Sequence, residues 1–164
     1  FGFEEALGYL VNPETVRDKD GISAAVALLG LAAAARESGT TVAGLLDELS
    51  ETFGHFASGQ VSIRVDDVAV IARIMAALRA TPPTSIGDDA VVSAEDLLSA
   101  PAGEPSGDVL RYRFASGSRV IVRPSGTEPK LKAYLDAKAD SAAASAERIT
   151  AMENAMRELL DQLS

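Results

Sequence analysis

The chain has 164 residues, 47% of them hydrophobic, which is enough for one ordinary domain or a small domain plus part of another and too apolar for global disorder. With no cysteine it has no disulfide, thiolate metal site or thiol nucleophile, and it fits a reducing cytoplasm, the expected location. A net charge of −9 argues against nucleic acid as a partner, because binding it requires attraction to phosphate backbones.

The chain starts at Phe1, not Met, and its first residues read as the interior of a longer protein. No charged segment followed by an apolar one marks a signal peptide. Residues 1–21 are rich in Gly, Asp and Glu, with turn signals at Asn12-Pro13 and Asp20-Gly21, and read as a loop. Ile22–Ser38 reads as a helix apolar nearly all round, hence buried on most sides, with Gly39 as its left-handed terminator. Its apolar run 24–35 is broken by Gly30 and is shorter than the roughly 20 residues a bilayer span needs, so a soluble protein without a membrane partner is expected. Thr40 or Thr41 caps a second helix, Val42–Phe53.

Gly54–Gly59 reads as a link between two units and Val61–Val65 as a short strand. Asp66 or Asp67 caps a helix over Val68–Arg79, which Thr81-Pro82-Pro83 stops. Ser99–Gly107 reads as a surface loop. Strands are expected at Val109–Phe114, Arg119–Val122 and Leu131–Leu135, the first two joined as a hairpin across Ser116-Gly117. A long amphipathic helix, about Ser141–Leu163, closes the chain, with Ile149, Met152, Met156, Leu159 or Leu160, and Leu163 in its buried stripe. The second unit is therefore an α+β arrangement whose helices cover one face of an antiparallel sheet and leave the other free for a ligand.

Six cations lie between Arg111 and Lys132, opposed in that stretch only by Glu128. Such an island fits a local anionic ligand or, equally, the solvated basic face of a sheet. Within it, Arg123-Pro-Ser-Gly-Thr-Glu-Pro-Lys130 combines a planar fork of donors, two hydroxyls, and a glycine able to take the angles of an anion-binding nest, between two stiffening prolines. These features describe a phosphate monoester site; the bland alternative is a Pro/Gly turn with a surface arginine. Gly2-Phe-Glu-Glu-Ala-Leu-Gly8 sets two carboxylates between glycines, suited to vicinal sugar hydroxyls or simply solvated. Arg17-Asp-Lys-Asp-Gly21 lacks the later ligands of a calcium loop and reads by default as a helix cap. His55, the sole histidine, has no nucleophile or carboxylate in a motif around it and reads as a packing or surface residue.

In this order and spacing the three segments resemble the α-D-phosphohexomutase superfamily, the phosphoglucomutases and phosphomannomutases. The resemblance implies the end of a third, sugar-binding α/β domain over residues 1–56. It also implies a fourth, phosphate-binding domain over residues 57–164, with a TATA-box-binding-protein-like fold. The implied activity is interconversion of 1-phospho and 6-phospho sugars through a phosphoserine and a bisphosphorylated intermediate, assisted by Mg²⁺. On this resemblance Arg123, Ser125, Gly126, Thr127 and Lys132 hold the substrate phosphate, Glu4 accepts sugar hydroxyls, and Lys19 bridges to ligand oxygens. Ala6 stands where many members carry Ser, which leaves the preferred sugar open, and Lys132 where many carry Arg. Neither a Ser-His pair nor an Asp-x-Asp-x-Asp cluster occurs. The chain is thus expected to hold no catalytic or metal residue, to be inactive alone, and to pack against N-terminal domains that carry both. The competing expectation is a stand-alone phosphosugar-binding or purely structural module.

Overall fold

The computed structural model describes residues 1–4, 7–104 and 106–164. The chain divides into two units, Phe1–Phe53 and Gly54–Ser164, three residues earlier than the expected boundary.

In the first unit, β1 (Gly2–Glu4) and β2 (Gly8–Leu10) form an antiparallel ribbon where the composition suggested only a loop. The Phe3 and Tyr9 rings, directly opposed, lie 5.3 Å apart between centroids and supply the cross-strand contact that two three-residue strands need. Helix α1 (Gly21–Glu37) starts at Asp20, whose carboxylate accepts the Ile22 and Ser23 amides at 3.0 and 3.1 Å. It ends at Gly39, φ +76°, where the Thr40 amide reaches the Ala35 carbonyl and the Gly39 amide the Arg36 carbonyl, a Schellman closure. Thr41 is the cap of α2 (Val42–Phe53), accepting the Gly44 amide at 3.0 Å. The expected burial of α1 is not met. Only Ala35 is buried, while Ile22, Val26 and Leu29 stay at least 65% exposed. One short helix and a small ribbon cannot cover a helix apolar on all sides.

The second unit is a six-stranded antiparallel sheet in the order β3-β8-β7-β6-β5-β4, with two helices. Its strands are β3 (His55–Arg64), β4 (Ser85–Ile86), β5 (Asp89–Asp96), β6 (Leu110–Phe114), β7 (Arg119–Pro124) and β8 (Lys130–Ala139). Its helices are α3 (Val68–Ala80), capped by Asp67, and α4 (Ala142–Leu163), capped by Ser141. The supposed link Gly54–Gly59 belongs to this sheet: β3 begins at His55 and pairs with β8 over its whole length. Gly59 sits there because α4 crosses closely; an added Cβ would meet Glu153 Oε1 at 2.1 Å and Ile149 Cγ1 at 3.1 Å. Strands β4 and β5 are absent from the sequence expectations, and β5 is hard to read because a bulge between Val91 and Ser93 breaks its period of two.

The core lies between the helices and one face of the sheet. Leu110, Val122, Leu131 and Leu135 point into it, against Ile74 and Leu78 of α3 and Met156 and Leu160 of α4. The alternate residues of β6, β7 and β8 line the open face.

Candidate functional site

Antiparallel pairing decides how the basic island is arranged. Arg111 and Arg113, on β6, both reach Glu95 of the neighbouring β5, Arg111 Nε at 3.1 Å and Arg113 Nε at 3.3 Å. Arg111 is the main cause holding the Glu95 carboxyl below its ordinary range. Arg119 of β7 binds Asp136 of β8 at 2.9 Å, and Asp136 also accepts the Ser58 hydroxyl from β3. Half the island is therefore neutralised by acids distant in sequence. Within the connecting loop, Glu128 takes Lys130 at 2.8 Å and Arg64 at 3.9 Å; the Lys130 ammonium chiefly depresses its pKa.

Arg123 and Lys132 remain. They are directly opposed on β7 and β8, on the open face, and among the described residues neither has an ion-pair partner. Like charges facing each other across a ladder repel, so such a pair is costly without an anion between its members. The guanidinium of Arg123 lies 5.8 Å from the centroid of the Tyr134 ring, also on the open face. The alternation of the strand places Tyr134 on one face with Lys132, but residue type and spacing alone assign it no role at the site.

The connecting loop, 125–129, starts where these strands end. The Ser125 amide donates to the Lys130 carbonyl at 2.8 Å, and the Val65 amide to the Pro129 carbonyl at 3.0 Å, tying the loop to β8 and to the end of β3. Among the described residues no protein group accepts from the Gly126 or Thr127 amides, and the Ser125 and Thr127 hydroxyls have no partner. Gly126 does not use the freedom expected of it: its φ is not positive, and an added Cβ would meet nothing within 4 Å. The ties at 125 and 129 close the turn with ordinary backbone angles, so a left-handed glycine is unnecessary.

The first unit carries a second polar patch. Lys19 Nζ lies 2.7 Å from Glu4 Oε1, and this bond is the first cause raising the Lys19 pKa. The pair arches over Gly8, where a Cβ would meet Lys19 Cδ at 2.3 Å and Glu4 Cγ at 2.6 Å; only glycine leaves it room. Both residues, with Arg17, border an open cleft of about 340 Å³. The structure thus joins the two residues expected at a sugar site, while Glu5 and Ala6 lie outside the described residues. Asp20 of the adjoining segment caps α1, and His55 is the first residue of β3, opposite Ala139.

The fold matches part of a solved phosphoglucomutase. The structure of pp63/parafusin, a phosphoglucomutase from Paramecium in its open form, matches with a TM-score of 0.64 at 21% identity, over 92% of this chain and 29% of that one. A probable phosphomannomutase from Haemophilus influenzae is 49% identical over 138 residues, 84% of this chain and 28% of that protein. A phosphoglucomutase from Staphylococcus aureus is 31% identical over 166 residues, 93% of this chain and 30% of that protein. Residues 61–154 match the phosphoglucomutase/phosphomannomutase C-terminal domain family model, and the chain belongs to that family. It spans less than a third of the length of these relatives.

Proposed function

We propose that this chain is the sugar- and phosphate-recognising C-terminal part of a phosphoglucomutase or phosphomannomutase, in which the complete enzyme interconverts 1-phospho and 6-phospho sugars through a phosphoserine and a bisphosphorylated intermediate. The observation that carries the proposal is the facing pair Arg123 and Lys132, without an ion-pair partner among the described residues, at the root of a loop whose Ser125 and Thr127 hydroxyls and Gly126 and Thr127 amides have no protein partner there. A phosphate dianion relieves the repulsion of that pair, and the Arg123 fork can take two of its oxygens. Ser125, Thr127 and the Gly126 amide supply further donors. In the first unit, Glu4 accepts sugar hydroxyls, while Lys19, already bonded to it, fixes the carboxylate and bridges to ligand oxygens.

The chain's residues bind and orient; phosphoryl transfer falls to a Ser-His loop in the remainder of the enzyme. Among the described residues no group of three His, Cys, Asp or Glu side chains could hold a metal ion. These residues do not fit a Mg²⁺ site. The Mg²⁺ implied by the family is held by the remaining domains, which pack against the apolar surface of α1. Among the described residues no single helix is long and apolar enough to cross a membrane, and the cytoplasm is the proposed location.

Titration with glucose 1-phosphate, followed by amide NMR, tests the site. Shifts centred on 125–127 are expected, with binding at least about ten-fold weaker in Arg123→Ala, since a hydrogen bond to a charged group contributes about 1.5–3 kcal/mol. Shifts unaffected by that substitution would leave the loop a structural turn.

A further inference from the structure

The four arginines on β6 and β7 are held in two different ways. Arg111, Arg113 and Arg119 are fixed by carboxylates, which engage the Nε–H of each and a further N–H group of Arg111 and Arg119. Arg123 is exposed, has no carboxylate partner among the described residues, and meets the Tyr134 ring instead. A cation–π contact consumes no hydrogen-bond donor, so the guanidinium is restrained while its N–H groups stay available to an incoming anion. The register explains why Tyr134 can do this. Lys132 sits directly opposite Arg123, and Tyr134 lies two residues further along β8 on the same face, opposite Ile121. Like charge on Lys132 disfavours a guanidinium held directly across from it, and the Tyr134 ring offers a contact displaced along the strand.

We infer that Tyr134 is a positioning residue for phosphate recognition: it holds the Arg123 guanidinium over its ring, clear of Lys132 and with its donors free for phosphate oxygens. This rests on the phosphate-binding reading of the 125–129 loop. Tyr134 does not itself touch the phosphate, and its hydroxyl is dispensable in this role. Holding the arginine in advance lowers the ordering cost that a long side chain brings to binding.

The test compares Tyr134→Phe, which keeps the ring, with Tyr134→Leu, which keeps an apolar side chain without a π face. In the unsubstituted chain and Tyr134→Phe, the Arg123 Nε–H proton should be displaced by the ring current. In Tyr134→Leu it should return to the position of an unstructured arginine. The Kd for glucose 1-phosphate should be unchanged in Tyr134→Phe and about two- to five-fold higher in Tyr134→Leu, the span expected of an exposed cation–π contact. Arg123→Ala is the control. If it weakens binding strongly while Tyr134→Leu leaves both Kd and proton shift unchanged, the positioning role is wrong and the phosphate site stands. If Arg123→Ala binds normally, both fall. Equal loss in Tyr134→Phe and Tyr134→Leu would show that the hydroxyl matters rather than the ring, and would also overturn the inference.

Discussion

The two units use apolar residues in opposite ways. In Gly54–Ser164, the inward side chains of the sheet and the stripes of α3 and α4 bury one another, and Val61, Ile74, Leu131 and Met156 have no exposed surface. In Phe1–Phe53, α1 is apolar nearly all round, yet Leu28, Leu29 and Leu31 are all about half exposed or more. Hydrophobic composition alone does not make a core; a second layer must be present to receive it. The second unit carries its own layers. The first has strong local signals, namely the Asp20 cap, the Schellman closure at Gly39 and the Thr41 cap, but little tertiary burial behind them.

Truncating one apolar side chain in each unit should give the largest contrast between them. Leu135→Ala, at 1% exposure, should cost about 2–5 kcal/mol in chemical denaturation. Leu29→Ala, 70% exposed, should stay within about 0.5 kcal/mol. Comparable losses at the two positions would mean that α1 is covered in solution.

A smaller effect is expected at the ion pairs of the open face. Glu95→Gln leaves Arg111 and Arg113 without their carboxylate and should cost on the order of 1 kcal/mol, reduced by salt. The pH dependence has a definite sign. Glu95 titrates below its ordinary value in the folded chain, so its stabilisation is present above the ordinary glutamate range and is lost as pH falls through the lowered folded value. The variant's acid-unfolding profile should be shallower over that interval; an unchanged profile would remove Glu95 as a contributor.

The smallest effect concerns the first unit's polar patch. Gly8→Ala forces the flexible Glu4 and Lys19 side chains apart, with little effect on the fold. The raised Lys19 pKa should fall back toward the ordinary lysine value of 10.5, as read from its side-chain NMR titration. A Lys19 that titrates as before would show that Glu4 is not its controlling partner.

Much of this protein was legible locally. Helix limits followed from Asp20, Gly39, Asp67 and the Thr81-Pro82-Pro83 stop, because caps and breakers act within a few residues. The alternation of β6 and β8 separated core from open face, and the 123–130 segment declared its donors by residue type alone. Other features depended on partners far along the chain. The glycines before Val61 read as a link by composition, whereas the close crossing of α4 over β3 is what requires Gly59. Three arginines of the basic island were paired by Glu95 and Asp136, and only strand register revealed it. Register likewise set Lys132 against Arg123 and brought Tyr134 beneath that arginine. Local sequence determined which groups were available and where helices began and ended, since those choices are made over one or two turns of backbone. Which charges were neutralised, which apolar faces were covered and which arginine was left with free donors depended on contacts between residues tens of positions apart, and only the folded sheet decided them.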